Sequence, residues 1–190
     1  MVVLPPLLLA IVGLTHPHEL TDDTAAAWRH LHIILLPVFP LLGLAPWLVL
    51  RSHSQVPSWA AALLGYVYAA CYTALDVLAG IGAGALQLDN AGNGREVMFA
   101  EGNDLAFYGV VAYLAATVLA SVVLLRRTGL AALPGAALAV FGAWLFLDNH
   151  IYWPLGGISM LTLAAGWGAL AWAGTREPEP APAAESTARA

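Results

Sequence analysis

The chain has 190 residues, is 60% hydrophobic and only 10% charged, and carries a net charge of −5, with a mean hydropathy of +0.75. Soluble domains hold about 25% charged residues, so this composition points to the bilayer as solvent. It excludes nucleic acid as a partner, because the basic residues are scattered arginines that form no stripe and there is no lysine at all.

In chain order, the first apolar segment runs over 2–14 and is short, with Pro5 and Pro6 inside it. It lacks the positive start and small-residue cleavage site of a signal peptide, so a retained short helix is preferred over a cleaved leader. Five segments of membrane length follow, at about 25–50, 58–86, 104–125, 133–147 and 155–173. Each is near the 20 residues that a hydrocarbon core of about 30 Å requires. The expected fold class is therefore all-α, a polytopic helical membrane protein: one transmembrane domain over 1–174, with five spans and a short N-terminal sixth. Prolines 37, 40 and 46 and glycines 80, 82 and 84 predict kinks and close helix contacts within the spans. Pro154 is placed to start the last helix. The tail 175–190 is rich in Pro, Ala and Glu with no apolar face, and is expected to be disordered. The one cysteine, Cys71, lies inside a span and reads as a packing residue.

Arginine placement orients the spans. Arg51, Arg126, Arg127 and Arg176 fall at one side, Arg29 and Arg95 at the other, so the positive-inside rule puts the 51–57 and 126–132 loops and the tail in the cytoplasm. The Ala-, Leu- and Arg-rich, lysine-free composition suggests a bacterial plasma membrane. The polar residues then sort unevenly. His16, His18, His30, His32 and His150 fall at the outer face, leaving only His53 inside; Glu19, Asp22, Asp23, Asp89, Glu96, Glu101, Asp104 and Asp148 join them. Topology calls for few arginines outside, but not for histidines.

Asp76 is the second signal. At about 1.5 Å per residue it stands about 25 Å from the inner end of its span, where a carboxylate facing lipid costs about 2.5 kcal/mol or more. It is expected to face the bundle, on a stripe with Tyr68, Tyr72 and Gly80. His30 and His32 are two apart and point about 200° away from each other on a helix, so they are not a helical zinc pair. His32, deeper than Trp28, is the inward candidate; His30 is placed near Asp22 or Asp23. Asp148 and His150 repeat the two-residue spacing at the same height, and "HPHE" at 16–19 adds His16 and His18 from a loop.

Imidazoles with a carboxylate at one face suit zinc, copper, iron or nickel better than magnesium or calcium. Four metal ligands are expected from His16, His18, His32, Asp76 and His150, supported by Tyr68, Tyr72, His30 and Asp148. Haem between His32 and His150 is a further expectation, since their heights match. A zinc ion with an open position would allow hydrolysis. The rivals are a non-enzymatic scaffold subunit, whose glycine-rich helix packs on a membrane-protein partner with Asp76 paired to its cation, and a proton-coupled transporter using Asp76. Taken singly, each histidine reads as an interfacial residue bonded to backbone or headgroup rather than as a ligand; only their convergence with an intramembrane carboxylate points to a site. The 87–104 segment reads as a turn-rich outer loop with a short amphipathic stretch at 95–100. No Walker, G-x-S-x-G, H-E-x-x-H or C-x-x-C-H motif is present.

Overall fold

The computed structural model describes residues 1–176; residues 177–190, which hold all but two residues of the expected tail, lie outside the described residues. The described residues form an all-helical bundle with no strand among them. Four stretches are long and apolar enough to cross a membrane: Ala25–Leu50, Gln55–Leu88, Arg95–Asn149 and Leu155–Gly174. The third contains two helices joined by a turn.

Helix α1 (Leu4–Gly13) accommodates Pro5 and Pro6 in its first turn, where their missing N–H groups have no intrahelical acceptor to lose. Ten residues reach only about 15 Å, about half a hydrocarbon core, so α1 does not have the length of a span. It lies against α8, and the indole of Trp153 donates to the Ala10 carbonyl at 2.9 Å.

Helix α2 (Ala25–Leu35) stops just before Pro37, which cannot donate to the helix ladder and restricts the residue ahead of it. After a turn and a short 3₁₀ segment at Phe39–Gly43, α3 (Leu44–Leu50) completes the apolar stretch Ala25–Leu50. Gly43 meets Gly65 there, backbone to backbone, so neither position has room for a Cβ.

Helix α4 (Gln55–Leu75) continues without a break through a π-helical segment, Asp76–Gly82, into α5 (Ala83–Leu88). Such widened turns occur mostly as short insertions and often at functional sites. The glycines of this stretch receive the chain's own α2: Gly80 faces the His32 ring and Gly84 faces Arg29.

Helix α6 (Arg95–Thr128) starts at Arg95, where the sequence suggested a loop up to Asp104. The reason is packing. Gly102 lies against Ala79, and Phe99 meets Trp28 edge-on at 6.0 Å, so this polar-looking stretch gains an apolar face once α2 and the π segment are beside it. Gly129, at φ +62°, ends the helix in a backbone conformation that side chains disfavour. Helices α7 (Leu133–Asn149) and α8 (Leu155–Gly174) pack against each other and follow the expected segments closely. The bundle interior is aromatic at mid-height, where Tyr68, Tyr72, Tyr113, Phe146 and Trp167 are fully enclosed.

Candidate metal centre

Three imidazoles from three separate elements meet at one end of the bundle. His16 comes from the loop after α1, His32 from the last turn of α2 and His150 from the residue just past α7. One ring nitrogen from each lies within 4.8 Å of the other two. The ring centroids form a nearly equilateral triangle, at 5.1 Å (His16–His32), 5.4 Å (His16–His150) and 6.1 Å (His32–His150).

Each ring is held through its Nδ1. His16 Nδ1 lies 2.7 Å from the Pro17 carbonyl, and His32 Nδ1 lies 2.8 Å from the Trp28 carbonyl one turn earlier. A carbonyl only accepts, so both Nδ1 atoms carry the hydrogen and both Nε2 atoms present a lone pair. His150 Nδ1 is 2.6 Å from the Tyr72 hydroxyl, which accepts when Nδ1 carries the hydrogen. Nε2 of His16 and Nε2 of His150 are buried and have no hydrogen-bond partner among the described residues. For His16 and His32, a hydrogen held at Nδ1 and a lone pair at Nε2 is the arrangement of metal-ligating histidines.

Burial also sets their charge. Removal from water pulls His16 down to about 4, against the opposing bond to the Pro17 carbonyl and with help from neighbouring His32 and His18. Burial, then His16 and His32, likewise hold His150 well below the ordinary imidazole range. Both rings are neutral at physiological pH and able to coordinate.

Aromatic groups fix the cluster in place. Trp28 meets His16 at 5.0 Å and His32 at 5.2 Å, and its indole N–H donates to the Ala79 carbonyl at 3.0 Å, which ties α2 to the π segment. Tyr152 covers the other side, 4.7 Å from His16 and 5.2 Å from His150. Burial raises its phenol to about 12, so it stays protonated. His32 owes its place to Gly80, since a Cβ there would fall within the imidazole. His150 has φ 35°, a conformation that L side chains seldom adopt and that costs on the order of 1–3 kcal/mol. Such an outlier in a site of converging side chains is what function, rather than packing, tends to preserve.

The structure brings together three of the five expected ligands, His16, His32 and His150, and leaves two outside that group. His18 is exposed and stacks on Tyr152 at 5.7 Å. Asp76 is fully buried, and neither carboxyl oxygen has a hydrogen-bond partner among the described residues. Of the supporting residues, Tyr72 holds His150, and Tyr68 is buried with no partner for its hydroxyl among the described residues. His30 is exposed, and Asp22 accepts from Gln87, which in turn accepts from Arg95. Asp148 is exposed at the rim of a cavity of about 360 Å³. That cavity is lined by His32, His150 and Tyr72, and by Phe99, Asn103 and Phe107 of α6. Phe99 and Asn103 were hidden in what reads as a loop, whereas Phe107 falls in the expected span 104–125. Their helical spacing (99, 103, 106, 110) was the signal that could have found them.

The fold and site define a chain whose described residues are all-helical, with membrane-length apolar stretches, and hold a cluster of the buried His16 and His32 with the half-buried His150. No protein family matches the chain, and neither a curated protein nor a solved structure is similar to it.

Proposed function

We propose that the chain is a polytopic integral membrane protein that binds one zinc ion through Nε2 of His16, His32 and His150. The observation that carries this is the convergence of three imidazoles, each held at Nδ1, with bare Nε2 atoms buried at His16 and His150. Burial of a polar atom without a partner costs about 1–3 kcal/mol, so these atoms call for something to bind. Three neutral imidazoles with a fourth position left to another ligand is the donor set of catalytic rather than structural zinc. Closing the nitrogens onto a tetrahedral ion, to about 3.3 Å apart, asks for a small inward movement of the rings. A compact ion fits better than haem, because the His16 ring stands edge-on at nearly equal distance from His32 and His150, where a planar macrocycle would have to lie.

Zinc held this way supplies Lewis acidity and activates water near neutral pH, which makes hydrolysis the class of chemistry the site favours. The chain's own groups contribute orientation. Pro17 and Trp28 carbonyls and Tyr72 fix the three rings, while Trp28 packs on His16 and His32 and Tyr152 on His16 and His150.

Membrane-length apolar stretches support insertion. Arg127 bonds to the His53 carbonyl, and Gly174 lies beside the same histidine, which supports grouping the arginine-bearing loops at the end away from the cluster. The positive-inside rule then orients the cluster toward the outer face of a bacterial plasma membrane, with the C-terminus in the cytoplasm. Elemental analysis and a visible spectrum of detergent-purified protein test the proposal. One zinc per chain is expected, lost in His16→Ala, His32→Ala and His150→Ala; a metal-free, well-folded wild type overturns it.

A further inference from the structure

We infer that the cavity beside the cluster receives a single-chain acyl amphiphile, its oxygen head toward His32 and His150 and its hydrocarbon leaving past Phe107 into the bilayer. The inference rests on the zinc site proposed above and names the class of ligand that site would take.

Three observations point to it. First, the cavity lining joins polar groups (His32, His150, Tyr72, Asn103 and Asp148) to an apolar wall of Leu75, Val110 and Phe146. A small polar metabolite would leave that wall against water, at a cost of roughly 25 cal/mol per Å² of apolar surface. Second, part of its lining reaches the apolar surface of α6. Phe107 lines the cavity and is 53% exposed, and it shares α6 with the exposed Tyr108, Val111, Val118 and Val122. On α7, the cavity-lining Leu147 continues into the exposed Trp144, Phe141 and Leu138. A chain leaving between α6 and α7 therefore meets apolar surface on both sides. Third, no arginine lines the cavity, and the carboxylate of Asp148 stands at its rim. That argues against a phosphate head and for an uncharged or weakly acidic oxygen head such as an ester, amide or hydroxamic acid. The volume of about 360 Å³ is at the lower end for small-molecule sites, enough for a head and the first part of one chain rather than a two-chain lipid.

Alkyl hydroxamic acids of two to six carbons are suitable probes, because the head binds metal and only the chain varies. They are titrated into cobalt-substituted protein and followed by its visible spectrum, with metal content measured in parallel. Wild-type affinity is expected to rise about fourfold per added carbon, the equivalent of ~0.8 kcal/mol per buried methylene. Ala106→Phe, which puts a ring into the cavity, should flatten that rise while acetohydroxamic acid binds within about twofold of wild type and metal content is unchanged. Phe107→Ala, at an exposed position that folding tolerates, should halve the slope. Equal affinity across the series in metal-loaded wild type overturns the inference and leaves the zinc site standing. The same slope in both variants as in wild type also overturns it, since chain length would then report partition into detergent. A wild type that takes up no metal overturns both.

Discussion

The Tyr72 hydroxyl lies 2.6 Å from Nδ1 of His150, joining the last turn of α4 to a residue 78 positions later. The bond decides which nitrogen of His150 is left to coordinate. Partners of this kind orient the ring and raise its basicity, and their loss typically costs 10–100-fold in metal affinity. Tyr72→Phe keeps the ring that packs on Phe39 and Phe146 but removes the hydroxyl. Zinc affinity, measured by competition with a chelator, is expected to fall by about 10–100-fold in a folded protein. Tyr68→Phe is the matching control. Its hydroxyl has no partner among the described residues, so its loss should leave zinc affinity unchanged.

Gly80 is the position on which His32 depends. A Cβ there would overlap the imidazole, which is itself packed against Trp28 and His16. Overpacking of this kind costs about 1–3 kcal/mol. Gly80→Ala should lower the melting temperature and displace His32, with zinc content falling well below one per chain. A variant that keeps full zinc occupancy and wild-type Tm would show that His32 does not need this gap.

How much of this was legible beforehand differs between fold and site. The helices announce themselves as long apolar runs, and α7 and α8 come out within a few residues of their sequence boundaries. The start of α6 does not, because "REVMFAEGND" is polar and acquires its apolar face only from Trp28 and Ala79. Opposite directions for His30 and His32 follow from helical spacing, and the exposed His30 and buried His32 agree with it. The stripe of Tyr68, Tyr72, Asp76 and Gly80 is buried throughout, as its fourfold spacing implied. That His16, from a loop, completes the triangle is a tertiary fact with no local signature. Nor does depth in the membrane reveal that Asp76 stands apart from the imidazoles.

Asp76 and His18 therefore separate the three-histidine centre from a wider ligand set. Asp76→Asn keeps the shape of the side chain and His18→Ala removes an exposed ring, and neither residue belongs to the converging group. Both variants are expected to retain one zinc per chain with affinity within about twofold of wild type. Loss of zinc in Asp76→Asn, by elemental analysis of folded protein, would mean that the carboxyl reaches the ion after all.

The charge state of the cluster predicts how the metal-free protein responds to acid. His16 is held at about 4 when folded, against 6.5 for the exposed side chain, so between those values the unfolded chain binds the proton and the folded chain does not. Stability then rises with pH wherever the unfolded state holds more protons, and falls as pH is lowered from about 6.5 toward 4. His150, depressed for the same reason, adds a loss of the same sign. For His16 alone the depression corresponds to about 3 kcal/mol, fully expressed only below the folded value. The Tm of metal-free protein in detergent should therefore drop between pH 7 and pH 4.5. His16→Phe, which cannot protonate, should flatten part of that drop while lowering zinc content. An acid response identical in wild type and variant would mean that His16 is not the buried neutral ring described here.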